Sequence, residues 1–272
     1  MATLKNYQIL FDAECPMCKL YTKALVQTGI LDEEGRAAYQ SLAPDACPMV
    51  DRQRAVNEIA LINQQTGEVT YGIHSLFKVF GEAMPVFKPL FSFGPFVWLM
   101  SKVYAFISYN RRVIVPAPVN SDAFALQPTF KLHYRLAYLL FTWAVTSCIL
   151  TQYAALLQGV VPVGNSYREY LICGGQVLFQ GAIVALIAPK KAWSYLGNMM
   201  TISFGGALLL LPVWLLSGWI GHHPVFYAGY FMLVAGLMFL EHIRRTKLLQ
   251  LGWALTLSWA VYRLMILVII LF

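Results

Sequence analysis

Hydrophobic positions follow two regimes along the chain. From Tyr7 to about Ile107 the apolar runs are short and are broken by turn residues and charges; beyond Lys131 they become long and nearly uninterrupted. In the first regime, Tyr7 to Phe11 reads as a buried strand. Pro16 to Thr28 reads as a helix with Cys18, Tyr21 and Leu25 on one face and Gly29 as its stop. Ala38 to Leu42 suggests a second strand, and Pro44 to Arg54 a loop that has room for one helical turn. Ile59 to Ile62 and Val69 to Tyr71 flank Gly67 as a hairpin, and Ser75 to Phe80 is a short helix ended by Gly81. The order is β-α-β, then β-β-α. Phe91 to Ile107 is apolar but interrupted by Gly94-Pro95 and Lys102; it suits either the last helix of this region or a helix lying along a membrane surface.

The second regime contains five apolar segments: Leu132 to Gln158, Tyr170 to Ala188, Leu196 to Ile220, Val225 to His242 and Leu249 to Phe272. Each is long enough to cross a hydrocarbon core ~30 Å thick, which takes ~20 residues of helix. The connections alternate in charge. Lys131 and Arg135 precede the first segment, Lys190 and Lys191 follow the second, and Arg244, Arg245 and Lys247 follow the fourth. The other two loops hold Arg168 with Glu169, or the uncharged Gly221-His222-His223-Pro224. Lys and Arg concentrate on the cytoplasmic side of membrane proteins. The pattern therefore predicts an integral membrane protein, of a bacterial inner membrane, with a cytoplasmic N-terminal domain and Phe272 outside. The absence of a signal-peptide pattern before Asp12 leads to the same side. The expected domains are residues 1–114, a linker over 115–130 and a five-helix bundle over 131–272.

Composition agrees with this division. Hydrophobic residues make up 58% and charged residues 12% of the chain, against roughly 25% charged in an ordinary soluble domain. The net charge of +7 follows from the basic loops. No basic run with interleaved aromatics points to nucleic acid. The five cysteines include only one close pair, which excludes a secreted disulfide framework.

That pair is the main candidate for chemistry. Cys15-Pro16-Met17-Cys18 follows a strand and opens a helix, the arrangement of a thioredoxin-like redox site. The helix start favours a thiolate at Cys15 through its unpaired N–H groups and dipole. The competing reading is a metal pair, but zinc normally takes four ligands and no second CxxC or HxxxH is present. Asp12 precedes Cys15 by three residues and has two open roles. Burial would raise its pKa and let it shuttle a proton to or from Cys18, or it caps the turn. Glu14 would disfavour a thiolate beside it and is expected to point into water. Cys47, in Ala46-Cys47-Pro48-Met49, is either a third redox cysteine or a small buried hydrophobe. A thioredoxin-like proline just before the hairpin strands is missing, since Arg54 to Glu58 holds none.

Asp12-Ala13-Glu14-Cys15-Pro16-Met17-Cys18 resembles the DxxCxxC signature of the DCC family of thiol–disulfide oxidoreductases. The similarity extends to Thr66 to Gly72 with the following helix, and to Tyr104 to Arg112, which is similar to that family's closing aromatic helix and Asn-Arg pair. The resemblance covers about Tyr7 to Ile114. It implies a thioredoxin-like fold and thiol chemistry with no particular substrate.

Polar residues inside the long apolar segments form the second set of candidates. Cys173, Gln176 and Gln180 share a helix face, with Gly174 and Gly181 permitting close approach nearby. They suit helix–helix hydrogen bonding, or a pocket for a quinone or a lipid. Arg263 lies well inside the fifth segment, where a charge is a functional candidate by default. Cys148 and Cys173 could both lie toward the outer leaflet. Adjacent His222 and His223 diverge and make a poor chelate.

The expected whole is an α/β thioredoxin-like domain fused to an all-α transmembrane bundle of five helices. Its expected activity is thiol–disulfide exchange with a protein or small-molecule thiol or disulfide, with no prosthetic group required. Cys15 would attack, Cys18 would resolve and Asp12 would assist proton transfer. Two other readings stay open: a non-enzymatic redox sensor governing a transporter or a lipid- or quinone-binding bundle, and a CxxC that handles metal.

Overall fold

The computed structural model describes residues 4–41, 48–118, 126–162 and 164–271. The chain divides into two compact units, Met1–Tyr134 and Arg135–Phe272.

In the first unit, β1 (Tyr7–Phe11) leads into α1 (Pro16–Gln27), β2 (Arg36–Ala38), α2 (Arg52–Asn57), β3 (Ala60–Asn63), β4 (Val69–Tyr71) and α3 (Ile73–Ala83). The sheet order is β2-β1-β3-β4. β1 runs parallel to β2, with Ile9 opposite Arg36, and antiparallel to β3, with Ile9 opposite Leu61. β1 therefore has a neighbour on each edge. It is also covered on both faces: Ile9 and Phe11 pack with Leu25, Leu61 and Val79 from α1, β3 and α3, while Leu10 packs with Ala55 of α2 and Ala60. Burial on both faces explains why β1 reads as an unbroken apolar run and not as an alternating one.

Two expectations need correction. The second strand lies at Arg36–Ala38, two residues earlier than the apolar pattern suggested. The parallel register with β1 ends at Ala38, and the chain then turns through a 3-10 helix at Tyr39–Ser41 that buries Tyr39. The burial of Tyr39 in that turn supplied the strand-like signal. The helical turn allowed for before Arg54 is a helix, α2, that starts at Arg52 and runs on to Asn57. Asp51 caps it, accepting from the Arg54 backbone N–H at 2.9 Å. With only Ala55 and Val56 buried, so short a helix presents no period in sequence. Residues 42–47, which include Cys47 and the last residue of the expected strand, lie outside the described residues.

Gly72 joins β4 to α3 with φ +63° and ψ −134°. A Cβ there would lie 2.8 Å from Glu58 Oε2 and 3.3 Å from the Tyr104 ring, so both backbone and space require glycine.

Beyond α3 come α4 (Lys88–Ser92) and α5 (Gly94–Ile114), with a bend of 88° at the break between them. α5 continues well past Ile107. Its last turns bury Ser108, Asn110, Arg111 and Val113 within the first unit, as the closing helix of that unit. Its opening half and α4 leave an apolar surface exposed, including Phe87, Leu90, Phe93, Trp98 and Leu99. The end of the expected linker is not free. Tyr39 donates to the Leu126 carbonyl at 2.7 Å, and the Asn57 side chain bonds the Thr129 hydroxyl and backbone N–H at 3.1 and 2.8 Å.

In the second unit, five helices are long and apolar enough to cross a membrane, as an integral membrane protein requires: α6 (Leu132–Ala154, extended by one 3-10 turn), α7 (Arg168–Ile187), α8 (Ala192–Leu215), α10 (Pro224–Leu248) and α11 (Ala254–Leu271). A short α9 (Ser217–Ile220) follows α8. These five fall on the five expected segments, with shifted limits; the bent α4–α5 pair of the first unit passes the same test of length and apolarity when taken together. α10 runs past His242 to Leu248, because Arg245 and Thr246 are buried within the unit and continue the packed face. α11 starts at Ala254, after Gly252 with φ +70° breaks the chain. α8 buries the greatest part of its surface and packs against α7 and α10.

Candidate functional site

The site forms where β1 gives way to α1, and it depends on how that turn is held. Asp12 is 2% exposed. Its Oδ1 accepts from the Glu14 backbone N–H at 3.0 Å and from Gln40 Nε2 at 2.8 Å, and Gln40 Oε1 in turn accepts from the Ala13 N–H at 3.0 Å. The Asp12 carbonyl accepts from the Cys15 N–H at 3.1 Å. These bonds fix the turn and place Cys15 at the N-cap of α1. There its sulfur accepts the Cys18 backbone N–H at 3.3 Å. Pro16 occupies the first helical position, where its missing N–H costs nothing.

The other carboxylate oxygen of Asp12 meets a cation from the far end of the first unit. Arg111, near the end of α5, reaches Asp12 Oδ2 at 2.9 Å, and the two side chains are 5% and 1% exposed. Arg111 also donates to the Asn57 carbonyl at 3.1 Å, to the Ser108 hydroxyl at 3.3 Å and to the Val56 carbonyl. Ser108 donates to the Asn57 carbonyl as well, and the Tyr104 hydroxyl accepts the Ile59 N–H at 3.0 Å. One face of α5 thus pins the segment between α2 and β3 directly beside the CxxC turn. Arg112 bonds Glu14 Oε2 at 2.8 Å and lies 3.4 Å from Asp12.

Two readings of the sequence are corrected here. Glu14 does not point into water: its side chain is 5% exposed and ion-paired with Arg112. Asp12 is buried, but its pKa is not raised. Burial pushes it up most strongly, yet Arg111, the Gln40 hydrogen bond and Arg112 together outweigh burial and hold the carboxyl below its ordinary value. Asp12 is therefore an anion in this site, and of its two sequence roles the structure displays the turn cap.

The two cysteines are reduced and differ sharply. The Cys15 thiol is lowered to about 6, first by the Cys18 thiol acting as a hydrogen-bond donor, and further by the Cys18 backbone N–H and the Arg111 charge, against burial and Asp12. The Cys18 thiol is raised, first by the hydrogen bond it gives to Cys15 and then by burial. One proton is thus shared unequally, with the thiolate on Cys15 and the thiol on Cys18. Arg111 has the opposite sign to everything negative in the cluster, so Cys15 and Asp12 tolerate each other's charge.

Access is narrow. Cys15 and Cys18 are 2% and 4% exposed. An open groove of about 260 Å³ reaches Cys18 and Arg111, with Met17, Tyr21, Phe80 and Tyr104 among its walls; Cys15 is not part of its lining. Among the described residues, no group of three or more His, Cys, Asp or Glu side chains gathers into a metal-holding cluster.

The candidates in the second unit separate. Cys173, Gln176 and Gln180 are all buried on one face of α7, as their spacing implied. Gln180 is fully engaged, accepting from the Tyr195 hydroxyl at 2.8 Å and donating to Ser258 at 3.2 Å. Tyr195 connects onward to His242 Nε2 at 3.2 Å, and His242 Nδ1 to Thr256 at 3.1 Å. Among the described residues, neither polar atom of Gln176 is paired, and the Arg263 Nε–H is also unpartnered. Cys148 is exposed while Cys173 is buried. The sequence reading missed Arg111, Gln40, Ser108 and the Tyr195–His242 chain. The Asn110-Arg111-Arg112 ending was the one available signal for Arg111.

Comparison with family models, characterised proteins and solved structures gives no match to this chain.

Proposed function

We propose that the first unit is a thioredoxin-like thiol–disulfide oxidoreductase of the DCC kind, carried on a membrane by the five helices of the second. The observation that carries this reading is the asymmetric cysteine pair: an acidic Cys15 at a helix N-cap, a Cys18 that keeps its proton, and Arg111 beside both. The strand order, with a parallel β1–β2 pair and an antiparallel β3–β4 hairpin, supports the fold assignment. Arg111 falls on the Asn-Arg ending of the resemblance and contacts Asp12 of its DxxCxxC turn.

The chemistry balances without a further cofactor. Cys15 thiolate attacks one sulfur of a substrate disulfide, forming a mixed disulfide and expelling a substrate thiolate. Cys18 then gives its proton to the expelled substrate thiolate and attacks Cys15 Sγ, releasing the second substrate thiolate and closing the Cys15–Cys18 disulfide. Two electrons pass from protein to substrate, and the reverse sequence oxidises a dithiol. The largely apolar groove beside Cys18 favours a substrate that is apolar next to its sulfur. The alternation of basic loops supports a cytoplasmic first unit, in an inner membrane, with the chain ending outside.

Thiolate absorbance in the ultraviolet, taken as the difference between the parent protein and Cys15→Ser, tests the central claim. One thiolate is expected to appear with a midpoint near 6. A midpoint near the ordinary thiol value of ~8.5 would remove the basis for Cys15 as nucleophile.

The burial of both sulfurs favours one second reading, a redox switch that turns over slowly and signals to the helical unit. Steady turnover of a small disulfide coupled to a dithiol donor separates the two, because a switch reacts once per oxidation event.

A further inference from the structure

The helical unit carries a charge at its centre with no matching counter-charge. Arg263 occupies the central turn of α11. The unit has two carboxylate side chains, and both are committed elsewhere: Glu169 to Arg168 at 2.8 Å, and Glu241 to Arg244 and Arg245 at 2.6 and 2.7 Å. The Arg263 guanidinium lies over the Trp259 ring, 5.6 Å from its centroid, which offsets only part of the charge. An uncompensated cation at this depth costs several kcal/mol.

Two buried donors have no hydrogen-bond partner among the described residues and share one cavity: the Arg263 Nε–H and the Thr146 hydroxyl. Thr146 is 1% exposed. Thr146 and Arg263 line the same enclosed cavity, together with Ser203, Gly206 and Phe231 from α8 and α10. The cavity measures about 30 Å³. That admits one or two water-sized species, and neither a quinone ring nor a lipid head group.

Two unpartnered donors, one of them cationic, around a water-sized space favour a small anionic occupant. Water alone would satisfy hydrogen bonds and leave the charge. We propose that this cavity binds a single monatomic anion, a halide, held by the Arg263 guanidinium and the Thr146 hydroxyl. The site is separate from the cysteine pair and does not depend on the activity proposed for it.

Thermal unfolding of the purified full-length protein, followed by tryptophan fluorescence, tests this in potassium chloride, bromide and gluconate at equal ionic strength. A halide that binds the folded state raises the midpoint and does so saturably. The midpoint is expected to rise in chloride and bromide relative to gluconate. Thr146→Val, which keeps the volume and removes one charge-assisted hydrogen bond, should weaken the apparent halide affinity about tenfold. Arg263→Gln should abolish the halide response. If Arg263→Gln fails to fold, Thr146→Val alone decides. Equal midpoints in halide and gluconate, the result of a cavity filled by water alone, would overturn the proposal. So would a Thr146→Val protein with an unchanged halide titration.

Discussion

Cys15→Ser should eliminate turnover of a small disulfide by a dithiol donor, while Cys18→Ser should leave the first attack intact and accumulate a mixed disulfide on Cys15. Mass spectrometry of the Cys18→Ser protein after exposure to the disulfide reads the adduct directly. The asymmetry follows from the site. Serine at the N-cap still receives the Cys18 N–H, so the turn should hold, but its hydroxyl does not ionise near neutral pH. Serine at position 18 takes away the resolving sulfur, but its hydroxyl replaces the thiol as donor to Cys15 and the backbone N–H at 18 still reaches Cys15 Sγ. Full turnover by Cys15→Ser would end the proposed mechanism.

The acidity of Cys15 also decides which step benefits. With a midpoint near 6, roughly 90% of Cys15 is thiolate at pH 7, against about 3% for an ordinary thiol at ~8.5, a gain of about thirty-fold. Nucleophilicity falls as the pKa falls, by about tenfold over this interval with a Brønsted slope of ~0.4–0.5. The net gain in attack rate is only about threefold. The larger consequence is thermodynamic: stabilising the reduced pair makes its disulfide more oxidising than one built from ordinary thiols. The sign with pH follows. The folded pKa of Cys15 lies below its unfolded value, so its contribution to stability of the reduced form is complete above ~8.5 and is lost as pH falls through about 6.

The second large effect concerns Arg111. Arg111→Leu should destabilise the first unit by about 3–5 kcal/mol at neutral pH, because it strands Asp12 as a buried, unpaired anion. It also releases the carbonyls of Val56 and Asn57. The pH dependence separates lost packing from lost charge pairing. In the parent protein the Asp12 pKa is depressed, so its stabilisation is present above ~3.9 and disappears as pH falls through the folded value. In Arg111→Leu the carboxyl is expected to protonate more readily, and the deficit relative to the parent should shrink as the pH is lowered toward 4. Adding Asp12→Asn to Arg111→Leu should recover part of the loss, giving a positive coupling in the double-mutant cycle. Melting curves of the four proteins at pH 7 and near pH 4 make the measurement. A deficit that stays constant with pH, with additive single effects, would reduce Arg111 to a packing residue and remove it from the electrostatics of Cys15.

The parts of the fold that were readable in sequence are those governed by local chemistry. β1 and α1 follow from a doubly buried strand, a proline at the first helical position and Gly29 with φ +72° at the helix exit. The five long helices follow from length and hydropathy alone. The parts that were not readable depend on distant partners. α2 is too short for a period and is defined by its Asp51 cap and by the Arg111 and Ser108 bonds to its end. The sense of the Asp12 pKa could not follow from neighbours in sequence, because the cation that sets it lies 99 residues away. Glu14 failed for the same reason, its partner Arg112 arriving from the far end of α5. Inside the bundle, spacing placed Cys173, Gln176 and Gln180 on one face but could not distinguish the satisfied Gln180 from the unsatisfied Gln176. That difference comes from Tyr195 and Ser258 on other helices.

The uncovered aromatic surface on α4 and the opening half of α5 bears on how the first unit is handled in the laboratory. A fragment cut near Tyr134 would keep the complete cysteine site and shed the five long helices of the second unit, yet Phe87, Leu90, Phe93, Trp98 and Leu99 would still face the buffer. Such a surface recruits other copies of itself. Detergent or lipid therefore belongs in the preparation of this fragment.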